Sequence, residues 1–238
     1  MATEITRAVE TEPESSGNGI SGYGLVTGQW TEMQGMFGVR IFERVSETAI
    51  DLQRDMSAPT GLFSFLNHDP NQLLGRTRAG TLEVTAEDDG VRYTIPKLPD
   101  LEHAERLHAH LERGEVRGSS FMAYLDDDEI AYNEDDDAVY RTITSLTLRE
   151  LGPVVMPAHS KTEDGPYRVK TRDLEEAVAR CAGVPLAEVR RTTDDGCGLR
   201  SLLTEKKYTP VTHHRDRAKW AIRKRRHGHD PRGAARRT

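Results

Sequence analysis

The sequence predicts an α+β protein that is mostly β, a barrel or sandwich over about residues 19–160 followed by a charged helical extension. Three observations predict it. Short runs of β-branched and aromatic residues recur between turn signals at close spacing. Inside that span one segment, 101–113, carries helical spacing. After Pro157 the β pattern stops, and helical and then basic sequence takes over.

The elements follow in order. Residues 1–18 are rich in Glu, Thr and Ser with little to bury, and are expected to be disordered. Gly19–Trp30 is strand-like, with Tyr23, Leu25 and Val26 among glycines, and Gly38–Val45 adds Val39, Ile41 and Phe42. The apolar run Gly61–Leu66 ends at Asn67-His68-Asp69-Pro70, where Pro70 breaks it, so His68 sits at a strand end or in the turn beyond. Leu73–Thr77 and Thr81–Thr85 flank Ala79-Gly80, which reads as a hairpin turn. Asp88-Asp89-Gly90 is another turn before the alternating Val91–Ile95. Asp100 is the expected N-cap of a helix over 101–113, with Leu101, Ala104, Leu107, Ala109 and Leu111 on its apolar face and Gly114 ending it. A strand is expected over 116–125, a solvated acidic loop over Asp126–Asp137 and a long β-rich run over Val139–Met156. Helices are expected over Asp173–Ala182 and Leu186–Arg191.

Composition narrows the function classes. A length of 238 residues holds one sizeable core plus tails. No run approaches the ~20 apolar residues of a membrane span, and the N-terminus has no apolar signal region. Cys181 and Cys197 lack Cys-x-x-Cys partners, which points away from a zinc ribbon or a thioredoxin-type site and towards a reducing, intracellular setting. Charge is uneven: His213–Thr238 carries ten Lys/Arg against two acids, so the net −6 of the chain places −14 on the other 212 residues. The basic tail suits contact with nucleic acid or an acidic protein surface, or is simply a solvated end.

Candidate chemistry sits in three places. His68, just after a buried strand, is on a rigid element and suits general-base work at neutral pH. In Gly114-Glu115-Val116-Arg117-Gly118-Ser119-Ser120-Phe121, a helix ends at the first glycine and a second precedes a serine pair that opens a strand, and Gly118 allows close backbone approach to a substrate. Strand alternation lets only one of Ser119 and Ser120 face a cleft. A third group would be needed to hold the histidine, and Glu150 is an acid among strand residues, costly to bury without purpose. Each feature also has an ordinary reading, as a surface histidine, a Gly-Ser turn and a strand-edge glutamate. His103, His108 and His110 do not fall on one ligand stripe, the acidic run lacks calcium-loop order, and there is no phosphate-cradling Gly-Lys loop.

Taken in order, these segments resemble the tailed-phage prohead protease family, the capsid maturation serine proteases. The resemblance runs through Gly22-Tyr23-Gly24-Leu25-Val26, Phe42-Glu43-Arg44-Val45, Asn67-His68-Asp69-Pro70, Leu74-Gly75-Arg76 and Gly80-Thr81-Leu82. It continues through Gly114 and Gly118-Ser119-Ser120-Phe121 to Leu148-Arg149-Glu150-Leu151 and Pro157-Ala158, about 140 of the 238 residues. The sequence departs from the family pattern in Gly152, where a serine is common, in Met122, where a small residue is common, and in a longer Gln34–Ile41 segment.

The resemblance implies an assemblin-like β-barrel wrapped by helices, with residues 19–165 as the protease domain and 166–238 as a helical and basic extension. It implies a serine endopeptidase that cleaves the scaffold, or the scaffolding segment of the major capsid protein, and also itself. The site of action is inside the immature phage prohead in the host cytoplasm. His68 matches the family's histidine, Ser120 the serine of its Gly-x-Ser-Phe motif, and Glu150 the acid of its closing Leu-x-Glu segment. No cofactor, metal or membrane is implied; the partners are the capsid or scaffold protein, with an oligomer compatible with this reading. The alternative is a non-catalytic scaffold or internal capsid protein with a basic tail that binds nucleic acid or the shell.

Overall fold

The computed structural model describes residues 3–9, 11–36, 39–133, 135–155, 171–194 and 202. The chain divides into two units, Met1–Lys206 and Lys207–Thr238. The basic tail and the segment 156–170 lie outside the described residues.

Eleven strands and four helices are found among the described residues. In order they are β1 (Thr3–Val9), β2 (Glu14–Ser16), β3 (Gly19–Val26), β4 (Thr31–Met36), β5 (Val39–Val45), α1 (Leu52–Ser57), β6 (Phe63–Phe65), β7 (Leu73–Arg76), β8 (Glu83–Glu87), β9 (Gly90–Ile95), α2 (Glu102–Glu112), β10 (Gly118–Asn133), β11 (Ala138–Val154), α3 (Thr171–Ala182) and α4 (Leu186–Asp194). One sheet runs β1-β10-β11-β5-β4, with β6 bridging β11 and β7; the second runs β2-β3-β9-β8. The expected barrel gives way here to two open sheets. β10 is the pairing partner of β1 and β5 that of β4, so the hydrogen-bonded order of the described strands ends at these two rather than closing.

Both sheets face one core. Ile5, Phe121, Ala123, Leu148 and Leu151 come from the first sheet, and Ile20, Leu25, Val91, Tyr93 and Ile95 from the second. Ala104 and Leu107 of α2 close one side. Close approach at the centre needs Gly24, where a Cβ would lie 2.4 Å from Leu151 Cδ2. A second cluster joins Met33, Ile41, Tyr132 and Val139 to Val178, Ala179 and Val189, so α3 and α4 stand where helices are expected and pack on the strands.

Four expectations are corrected. The N-terminal segment is not disordered over Thr3–Val9: it pairs antiparallel with β10, because Ile5 is core and Arg7 has a buried acid to meet. Asp126–Glu129 is not loop but the continuing strand β10, whose Asp128 faces two arginines. Ala79-Gly80 does not make a hairpin: a 3-10 turn, Thr77–Ala79, with Gly80 left-handed, separates β7, which pairs with β6, from β8, which pairs with β9. Asp100 does not cap α2; Leu101 holds that position with no side-chain bond and is 53 % exposed.

Candidate active site

β10 settles which serine faces which way. Cross-strand partners share a face and neighbours along a strand alternate. Ser119 turns to the core, where its Oγ lies 3.0 Å from the hydroxyl of the fully buried Tyr93. Burial pushes the Tyr93 phenol up, so it stays a neutral donor or acceptor. Ser120 therefore turns to the opposite face.

Glu150 reaches that same face through a β-bulge. Leu146, Leu148 and Glu150 have the spacing of one strand face, and unbroken alternation would bury the glutamate with the leucines. The register shifts instead: Met122 pairs with Glu150 and Ala123 with Leu148. Since Met122 and Ala123 point opposite ways, so do Glu150 and Leu148, leaving Arg149 as the extra residue. Leu148 and Leu151 enter the core, and Glu150 comes to lie two positions from Gly152, the partner of Ser120. Gly152 itself is set by β6: a Cβ there would lie 2.3 Å from the Phe65 carbonyl and 3.0 Å from Glu150 Oε1, so a side chain has no room.

His68 arrives from the turn after β6. Asn67 and His68 both adopt left-handed backbone, with φ of 56° and 59°, a conformation that costs on the order of 1–3 kcal/mol per non-glycine residue. Asn67 holds the turn in place. Its N–H donates to the Pro153 carbonyl at 3.1 Å, and its Oδ1 accepts from the Val155 N–H at 2.8 Å. The end of β11 thus grips the residue before His68.

The three expected residues meet. His68 Nε2 lies 2.7 Å from Ser120 Oγ, and His68 Nδ1 contacts Glu150 Oε2. Glu150 Oε1 also accepts from the Phe65 N–H at 3.3 Å. Burial raises the Glu150 carboxyl above its usual range, opposed by His68 and the Phe65 N–H. Two contacts lay outside the sequence reading: the grip of Asn67 on β11, and the Arg7 carbonyl, which accepts from Ser120 Oγ at 2.9 Å. Asn67 stood in a quoted motif, whereas Arg7 stood in a segment whose composition hid it. The helix histidines diverge: His103 meets the Leu73 carbonyl, His108 the Gly17 carbonyl and His110 the Glu115 carboxylate. Among the described residues no cluster of His, Cys, Asp and Glu is placed to hold a metal, and no helix is long and apolar enough to cross a membrane.

A hydroxyl, an imidazole and a carboxylate in this relay form the arrangement that serine hydrolases use for acyl transfer, here mounted on a mostly β scaffold. The chain belongs to the caudovirus prohead serine protease family, which matches residues 5–178. It is a peptidase by family, with a place in capsid maturation. Among solved structures it is similar to the bacteriophage T4 capsid assembly protease, gp21, at 12 % identity over 65 % of this chain and 98 % of that one, with a TM-score of 0.40. No curated protein matches the chain significantly.

Proposed function

We propose that the chain is a serine endopeptidase with Ser120 as nucleophile, His68 as general base and acid, and Glu150 as the group that orients His68. Ser120 Oγ attacks the peptide carbonyl while His68 Nε2 takes its proton and then passes it to the leaving amine. Glu150 accepts from Nδ1–H and stabilises the imidazolium. The observation that carries the reading is the unbroken contact from Glu150 through His68 to Ser120, assembled from residues 150, 68 and 120 on three separate elements. The substrate is the scaffold, or the scaffolding segment of the major capsid protein, and the chain also cuts itself. It acts inside the immature shell in the host cytoplasm, with the basic tail recruiting it to an acidic scaffold or inner surface.

The test is mass spectrometry of wild type and Ser120→Ala, each co-expressed with its capsid protein. Loss of a triad member costs ~10⁴-fold or more, so defined fragments are expected with wild type only. Identical fragments in both would move the nucleophile elsewhere. No fragments in either, inside assembled shells, would favour the non-catalytic scaffold reading.

A further inference from the structure

The Ser120 hydroxyl has one proton and two neighbours that compete for it. Its Oγ lies 2.7 Å from His68 Nε2 and 2.9 Å from the carbonyl oxygen of Arg7. A carbonyl only accepts, so a hydrogen bond to Arg7 takes the serine proton. The His68 contact is then a hydrogen bond only if Nε2 carries a hydrogen and donates it to Oγ. The opposite assignment, with the serine proton on the line to Nε2, leaves two oxygens facing each other at 2.9 Å with nothing between them. General-base catalysis needs that opposite assignment, because Nε2 must be bare to receive the proton. Ser120 is also only 1 % exposed.

The Arg7 carbonyl is held firmly. Ala8 pairs with Ser120 across the β1–β10 ladder. The Arg7 guanidinium forks onto Glu43, with Nε at 2.5 Å and Nη2 at 3.0 Å, and its Nη1 bonds the neighbouring Thr6 carbonyl at 2.9 Å. Glu43 is gripped in turn by Arg141 at 3.0 Å. Arg7 and Glu43 are both buried. β1 stands at one end of its sheet order, with β10 as its ladder partner.

We propose that Arg7 is a restraining residue: its backbone carbonyl, anchored through its side chain to Glu43, holds the Ser120 proton away from His68, and the enzyme is switched on by a shift of β1. The inference rests on Ser120 being the nucleophile. The protons balance. At rest the relay holds three: one on the Ser120 oxygen, one on Nε2 and one shared between Nδ1 and Glu150. In the working state it holds two, one on Nδ1 and one between Oγ and Nε2, and the third leaves to water.

The experiment is nitrogen-15 NMR of the full chain with labelled histidine, the His68 signals being assigned by their loss in His68→Gln. A protonated Nε2 is expected in resting wild type, and a bare Nε2 there overturns the inference. Glu43→Gln loosens the fork, and is expected to add a bare-Nε2 population and to speed fluorophosphonate labelling of Ser120 about tenfold. A second pair, Thr6→Cys with Met122→Cys, joins cross-strand partners, with the single variants controlling for Cys181 and Cys197. Oxidation is expected to slow labelling about tenfold and reduction to restore it. Equal labelling in wild type, tied and loosened forms leaves Ser120 as nucleophile and overturns the restraint. No labelling of Ser120 in any form removes the nucleophile and the restraint together.

Discussion

Two carboxylates along the β10–β11 hairpin, Asp128 and Glu150, expose little of their side chains, 7 % and 3 %, and they are partnered differently. Asp128 lies between Arg141 at 2.6 Å and Arg180 at 2.8 Å. Glu150 meets an imidazole and one backbone N–H. Arginine cannot give up its proton, so the ladder Arg7–Glu43–Arg141–Asp128–Arg180 is a set of fixed charges that ties β1, β5, β10, β11 and α3 together. Histidine can give up its proton, so the Glu150 end has a proton to place. A carboxylate in this hairpin is a structural counterion at Asp128 and, in the proposed mechanism, the group that orients a histidine at Glu150. The difference lies in whether its partner can give up its proton.

Breaking the reactive end comes first. Glu150→Gln should lower kcat by about 10⁴-fold, the size of effect seen when a triad acid is made neutral, while thermal melting shows the fold retained. The same variant reads the pH dependence. A carboxyl raised in the folded state favours folding while protonated, so Glu150 contributes stability below its unfolded pKa and loses it as pH rises through the raised folded value. Catalysis that needs the carboxylate rises across the same window. Urea melts at a series of pH values should show stability falling there in wild type and flattening in Glu150→Gln.

Breaking the structural end has a smaller effect of another kind. Arg141 is 2 % exposed and serves both Glu43 and Asp128. Arg141→Met should cost about 3–5 kcal/mol, as expected when one member of a buried ion pair is removed, measured by urea unfolding. Smallest is Ser119→Ala, which leaves the buried Tyr93 hydroxyl without this partner and should cost about 1–3 kcal/mol. Peptide turnover by Ser119→Ala should stay within a few-fold of wild type, and a loss as large as that of Ser120→Ala would reverse the facing of the two serines.

Much of this was legible in the sequence, for physical reasons that can be named. β3, β5, β6 and β9 carry apolar residues between turn formers, and Pro70 marked the end of the run that presents His68. The three site residues lay in segments whose order and spacing fit together. The misses share a cause. In β1 and the distal part of β10, polar residues are bought into strand by partners far along the chain: Arg7 by Glu43, and Asp128 by Arg141 and Arg180. Local composition reads such segments as solvated. The β7–β8 pairing failed for a similar reason, since a turn signal tells where the chain bends and not which strand it then meets. The bulge at Arg149 was present in the sequence as a break in period, with leucines at 146, 148 and 151 rather than at every second residue.

The place of β1 along the chain has a consequence for synthesis. Arg7 and Ser120 are 113 residues apart, and at a translation rate of about 5–20 residues per second roughly 6–23 s separate them on the ribosome. Of the four groups that meet at the site, Arg7 emerges first, then His68, then Ser120 and last Glu150. Any growing chain long enough to hold all three of His68, Ser120 and Glu150 already carries the Arg7 carbonyl that bonds Ser120. A chain built in this order would carry the proposed restraint before its relay is complete.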